Sequence, residues 1–100
     1  MNLETTTQHV LKRALAADAL GATVKFVLEG EPGGVVYLDG RGAENTVSNA
    51  DDDADCIVRV DHSEFDSMLT GETNPMAAFM SGKLKVEGDM GVAMKLTSIL

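Results

Sequence analysis

Residues 23–40, "TVKFVLEGEPGGVVYLDG", leave the backbone few choices. Val24, Phe26 and Leu28 point one way and Lys25 and Glu29 the other, with Val27 between those two, so the opening half reads as a strand with one apolar face. "EPGG" is a turn cluster, and "VVYLDG" reads as the returning strand of a hairpin. A lone hairpin is at best marginally stable in water. The rest of the chain must therefore supply further strands and a cover for that apolar face.

The remaining segments do so. Residues 5 to about 20 predict an amphipathic helix, opened by the capping pattern Thr5-x-x-Gln8 and stopped at Gly21. Val10, Leu11, Ala14 and Leu15 share one face of it, with Lys12, Arg13 and Asp18 mainly elsewhere. "DGRG" makes a second turn and "ENTVSN" a short, weakly patterned edge strand. "DCIVRVD" is the next strand, with Cys56, Val58 and Val60 on one face. A helix follows from Ser63, where Ser63 and Asp66 match a cap pattern, Phe65, Met68 and Leu69 share a face, and Gly71 ends it. Asn74 and Pro75 are an N-cap followed by proline at the first helical position, where a missing N–H costs least. Met76, Phe79 and Met80 carry the apolar side of that short helix to Gly82. "KLKVEG" is a last strand with Leu84 and Val86 inward. Asp89 caps a final helix in which Met90, Ala93, Met94 and Leu96 continue the apolar side to Ile99 and Leu100. Strands and helices are partly segregated, which predicts α+β: a single domain over residues 1–100, with a five-stranded, mostly antiparallel sheet and helices stacked on one face.

Composition narrows the function. One hundred residues suit one domain, and 44% hydrophobic residues suit a packed core. Aromatic residues are only 4%, so that core relies on Leu, Val, Ala and Met. Sixteen acidic residues against eight basic ones, a net charge of -8, oppose binding to a phosphate backbone, and no nucleic-acid partner is expected. The same balance disfavours permanent residence on an anionic membrane and leaves transient contact through a local basic patch. Cys56 is the single cysteine, so no internal disulfide is available; a reducing cytoplasm and a role as a small buried hydrophobe are expected. No apolar run approaches a membrane span, and "MNLETTTQ" lacks a signal pattern. The terminal "SIL" has an apolar residue where a peroxisomal address has a basic one.

Catalytic constellations are not evident. His9 and His62 are far apart and sit in no nucleophile or metal motif. Asp61, Glu64 and Asp66 are accounted for by a strand end and a helix cap. "DDDADC" lacks the spacing, central glycine and distal glutamate of a calcium loop and reads as a solvated acidic turn. "GDMG" has too few glycines to cradle a nucleotide. The weakest enzyme reading, a small hydrolase or isomerase, would rest on Asp61 or His62. Neither cofactor nor metal is expected.

The methionines are the unusual feature. Met68, Met76, Met80, Met90 and Met94, five of six, fall between residues 68 and 94 on predicted helices. Each alone reads as core filling. As a set they suit a wall facing a variable apolar ligand, because a flexible thioether adapts to many shapes.

"LTGETNPMAAFMSGKLKVEGDMGVAMKL", residues 69–96, resembles the sterol carrier protein 2 family, which shows a short helix, "TG", an "NP" helix start, "AF", "GKLK", a glycine turn and "MxxAMKL". "ADCIVRVDHSEFDSML" fits the strand and helix that precede that stretch, and the similarity runs from about residue 22 to 98. The resemblance implies an α+β domain enclosing an apolar tunnel, and a protein that binds or transfers fatty acids, fatty acyl-CoA, sterols or other lipids without acting on them, free-standing or appended to enzymes. Two departures stand out. Met76 replaces a glutamine common after "NP", and the sequence stops at Leu100, where relatives often continue into a covering segment. The expectation is a more open mouth, or one covered by the first helix or by a second copy in a homodimer. On this reading the lining comprises Phe26, Leu28, Phe65, Met68, Leu69, Met76, Phe79, Met80, Leu84, Met90 and Met94, with Lys83 and Lys85 at the rim. The rival is a dimeric interaction or scaffold module with a filled core, working beside a lipid-modifying enzyme.

Overall fold

The computed structural model describes residues 2–31, 33–96 and 99. Its elements are α1 (Leu3–Leu15), β1 (Thr23–Glu29), β2 (Gly34–Asp39), β3 (Thr46–Ser48), β4 (Cys56–Asp61), α2 (His62–Leu69), α3 (Pro75–Met80), β5 (Leu84–Gly88) and α4 (Met90–Leu96). The sheet runs β3-β2-β1-β4-β5. Three neighbouring pairs are antiparallel, including the β1–β2 hairpin, in which Phe26 stands opposite Val36. The fourth, β1 with β4, is parallel, with Phe26 beside Val58. The α+β domain with a mostly antiparallel five-stranded sheet is thus as expected, and "ENTVSN" holds the short edge strand β3.

One face of the sheet is the core. Val24, Phe26, Leu28, Val36, Leu38, Cys56, Val58 and Val60 all face it and are buried. Phe65 of α2 comes down onto Phe26, with ring centroids 5.1 Å apart and planes tilted by 41°, a favourable aromatic geometry. Burial pushes the Cys56 thiol upward, so this side chain serves as a small hydrophobe.

The opposite face is crossed by the acidic loop. Lys25 and Tyr37 stand side by side there; Lys25 Nζ meets Asp51 at 2.9 Å, and the Tyr37 hydroxyl donates to the Asp53 carbonyl at 2.8 Å. Asp55 accepts from the Thr23 N–H at 3.0 Å. These aspartates hold the loop to the sheet, and among the described residues no acidic cluster has the geometry of a metal site.

Three helix boundaries differ from expectation. The first helix starts at Leu3, because Asn2 rather than Thr5 is the cap and accepts from the Thr5 N–H at 2.8 Å. It ends at Leu15 instead of near residue 20, because a distant side chain competes for its end: buried Asn45 donates to the Ala14 and Asp18 carbonyls at 2.9 and 3.0 Å and accepts from the Leu20 N–H at 2.8 Å. Its buried stripe is Thr6, Val10 and Ala14, and Leu15, expected on the apolar face, is 57% exposed. The second helix is capped by Asp61, which accepts from Ser63 N–H at 3.2 Å and Ser63 Oγ at 2.5 Å. Asp66, expected to close a capping box, instead accepts from the Thr6 hydroxyl at 2.7 Å.

The later helices start where the sequence predicts; α4 ends at Leu96, Ile99 lies in a turn, and the expected continuation through residues 97, 98 and 100 lies outside the described residues. Asn74 caps α3 by accepting from the Met76 and Ala77 N–H groups, with Pro75 in the first turn. Asp89 accepts from Gly91 and Val92 N–H at 2.8 and 3.3 Å and opens α4. Between β5 and α4 the chain turns at Gly88, whose φ is +94°; a Cβ there would lie 2.5 Å from the Asp55 carbonyl oxygen. Only glycine fits, and this close approach sets where α4 crosses the end of the sheet.

Candidate functional site

Strand β5 is an edge strand, so the sheet beneath α3 and α4 has a neighbour on one side only. The two helices are short, six and seven residues. Among their described side chains, α3 buries only Ala78, and α4 only Val92 and Leu96. They lean over the sheet without closing on each other, leaving a cleft.

The floor is Val58 of β4 with Leu84 and Val86 of β5, Val58 and Val86 being direct cross-strand partners. One wall is Pro75, Met76 and Phe79 of α3; the other is Met90, Ala93, Met94 and Leu96 of α4. All ten side chains are apolar. The cleft encloses about 90 Å³, less than the roughly 150 Å³ apolar cavity that takes up one benzene. Its upper walls reach solvent: Met76, Phe79, Met90 and Met94 are 50, 41, 49 and 71% exposed. The thioethers at the lip are unbranched and free to change rotamer.

Of the eleven side chains expected to line a tunnel, Met76, Phe79, Leu84, Met90 and Met94 meet here. Phe26, Leu28, Phe65, Met68 and Leu69 lie instead in the packed core between α2 and the sheet, each at most 3% exposed. Met80 is 81% exposed and is not part of the cleft lining. Val58, Pro75, Val86, Ala93 and Leu96 complete the cleft without having been expected in the lining. Signals for some of them were present: Val86 alternates with Leu84, and Ala93 falls at helical spacing from Met90.

Lys83 and Lys85 are both exposed. Lys85, next to Leu84 in the strand, stands on the opposite face of β5 and points away from the cleft.

A second cluster has the residue types of a catalytic site but is closed to solvent. Thr6 Oγ1 lies 2.7 Å from His62 Nε2 and donates to Asp66 Oδ1 at 2.7 Å, with Asp66 Oδ2 3.6 Å from the imidazole. The residue types suggest a nucleophile, base and acid. The hydroxyl proton, however, goes to the carboxylate, which leaves the imidazole N–H as the donor to Oγ1. Thr6 and His62 are also sealed from solvent. No substrate reaches the hydroxyl, and the group is a polar clasp between α1 and α2. His9 is exposed on α1, apart from it.

The comparisons with known proteins agree with this architecture. The profile of the SCP-2 sterol transfer family matches residues 3–100. Hydroxysteroid dehydrogenase-like protein 2 of Xenopus tropicalis is 44% identical over 78 residues, covering 76% of this chain and 19% of that protein. Sterol carrier protein 2 of Homo sapiens is 37% identical over 86 residues, 80% of this chain and 15% of its own length. The chain thus spans about a fifth or less of these relatives. The crystal structure of sterol carrier protein 2 like 2 from Aedes aegypti superposes with a TM-score of 0.80 at 16% identity, covering 98% of this chain and 95% of that one. The solution structure of palmitated SCP2L2 from the same species gives 0.75 at 20% identity, covering 99% and 94%. At such identities the structures speak for the fold, while the sequence match carries the family: this chain belongs to the SCP-2 sterol transfer family.

Proposed function

We propose that the domain is a non-catalytic carrier that holds the hydrocarbon part of a single-chain or polycyclic lipid between α3 and α4. The observation that carries this reading is a cleft of ten apolar side chains whose flexible walls stand half in water. A monomer seldom keeps such a surface unless something covers it. The magnitudes suit a carrier. Burying about fourteen methylenes at ~0.8 kcal/mol each is worth about 11 kcal/mol. Subtracting about 4 kcal/mol, the lower figure for lost freedom on association, leaves about 7 kcal/mol, a Kd on the order of 10 µM. A ligand held at that strength is released again.

The palmitated mosquito protein of the same fold supports an acyl chain as one such ligand. Loading would bring the cleft mouth to a lipid surface transiently, with the exposed side chains of Met76 and Met94 at its lip. The names and lengths of the Xenopus and other hydroxysteroid dehydrogenase-like relatives support a second role, as a module serving an enzyme that shares the chain or pairs with it. The lone, sealed Cys56 suits work in a reducing compartment such as the cytoplasm.

Native mass spectrometry of the purified protein tests the carrier reading. The expected spectrum shows one lipid adduct per chain, lost after organic extraction and restored by adding a long-chain fatty acid. A spectrum without adduct, from a protein that also fails to bind a fluorescent fatty acid at roughly 100 µM, ten times the expected Kd, would overturn it. The same spectrum reads out the homodimer that exposed Met80 and Phe79 would otherwise favour.

A further inference from the structure

The methionines of the C-terminal third fall into two populations. Met68 is 2% exposed in the core. Met76, Met80, Met90 and Met94 are 50, 81, 49 and 71% exposed, and three of these four line the apolar cleft. The chemistry of a thioether follows its access to solvent: an exposed sulfur is oxidised to the sulfoxide, which turns a flexible apolar side chain into a polar one. Three such sulfurs on the two walls of one cleft make its polarity a matter of oxidation state.

We propose that Met76, Met90 and Met94 are a peroxide-sensitive modification site that switches the cleft from holding lipid to releasing it. The inference rests on the carrier reading and adds its regulation. The oxidant is a hydroperoxide. A sulfur lone pair attacks its terminal oxygen, the S–O bond forms as the O–O bond breaks, and the proton on the transferred oxygen passes to the departing alkoxide or hydroxide. Sulfur is oxidised by two electrons, and the hydroperoxide is reduced to an alcohol, or to water when it is hydrogen peroxide. The products are one sulfoxide and one hydroxyl compound.

The consequence follows from the lining. A sulfoxide oxygen is a hydrogen-bond acceptor that loses its water when a hydrocarbon chain is seated against it. None of the ten lining side chains carries a donor to replace that water. With three sulfoxides on facing walls the cleft stays hydrated and the acyl chain is expelled. Because sulfoxide reductases restore the thioether, the change is reversible. Met68, out of reach in the core, serves as an internal control, and Met80, exposed but outside the cleft, as a surface control.

The test measures the Kd of a fluorescent fatty acid before and after hydrogen peroxide, with oxidised positions mapped by peptide mass. The expected result is oxidation at Met76, Met80, Met90 and Met94 ahead of Met68, a Kd raised at least tenfold, and recovery after treatment with both methionine sulfoxide reductases. The variant Met76→Leu, Met90→Leu, Met94→Leu should show a ratio of the two Kd values near one, and Met80→Leu should respond as the unaltered chain does. The proposal is overturned if the three cleft methionines are oxidised while the Kd stays unchanged, if they resist peroxide that oxidises Met80, or if the reductases fail to restore binding. Should the leucine variant not fold, reductase recovery in the unaltered chain decides. A chain that binds no probe before peroxide refutes the carrier reading and this inference together; one that binds but ignores peroxide refutes the inference alone.

Discussion

Val86→Trp is expected to reduce fatty-acid binding at least fiftyfold while the domain stays folded. Val86 lies half-buried on β5 beside Leu84 and directly across from Val58, at the floor of the cleft. Benzene fills a cavity of roughly 150 Å³, so the larger indole more than takes up the 90 Å³ enclosed here and spreads along the open gap between α3 and α4. A ligand would have to displace it. In a filled core the same substitution forces neighbours off their rotamers, at about 1–3 kcal/mol; over an open cleft the indole spreads into free space and the cost should fall below that range. Binding and urea denaturation on one sample separate the two cases. Lost stability with unchanged binding would mean that the floor is packed interior and the lipid sits elsewhere.

Phe65→Ala should do the reverse. The ring is fully buried and lies 5.1 Å from that of Phe26, in the sector that joins α2 to the centre of the sheet. Truncating a buried phenylalanine costs about 3–5 kcal/mol, a large part of the roughly 5–15 kcal/mol that keeps a domain folded. The urea midpoint should therefore fall steeply. Phe65 does not line the cleft, so the molecules that remain folded should bind the probe with a Kd within about twofold of the unaltered chain, the small change expected for separate sites. A folded Phe65→Ala protein that has lost binding would put this side chain in the ligand wall.

The contrast between these two residues shows what local pattern conveys. Phe65, Met68 and Leu69 on α2 and Met76, Phe79 and Met80 on α3 have the same helical spacing, and nothing local tells a core face from a cavity wall. The difference lies in where each helix lands. α2 packs over β1 and β4 at the middle of the sheet, whereas α3 lies over the edge strand β5. That placement depends on β1 pairing in parallel with β4, with β2 and β3 intervening only in sequence, a non-local choice that alternation in either strand leaves undetermined. The true extent of α1 was hidden for a similar reason, since Asn45, far along the chain, takes the carbonyls that end it. Features governed by a few adjacent residues were legible: the β1–β2 hairpin, the Asn74–Pro75 start of α3, and the Asp89 cap of α4. The place of Thr6 in the buried stripe of α1 was not legible, because its hydroxyl is satisfied by His62 and Asp66 from another helix.

Entry of lipid between α3 and α4 can be followed by methyl NMR. The chain is labelled with ¹³C on its methionine methyl groups and titrated with a long-chain fatty acid. If lipid enters there, Met76, Met90 and Met94 shift together and show through-space contacts to ligand methylenes, while buried Met68 stays in place. A saturating titration that moves Met68 and leaves those three unchanged, or that moves none of them, would contradict it.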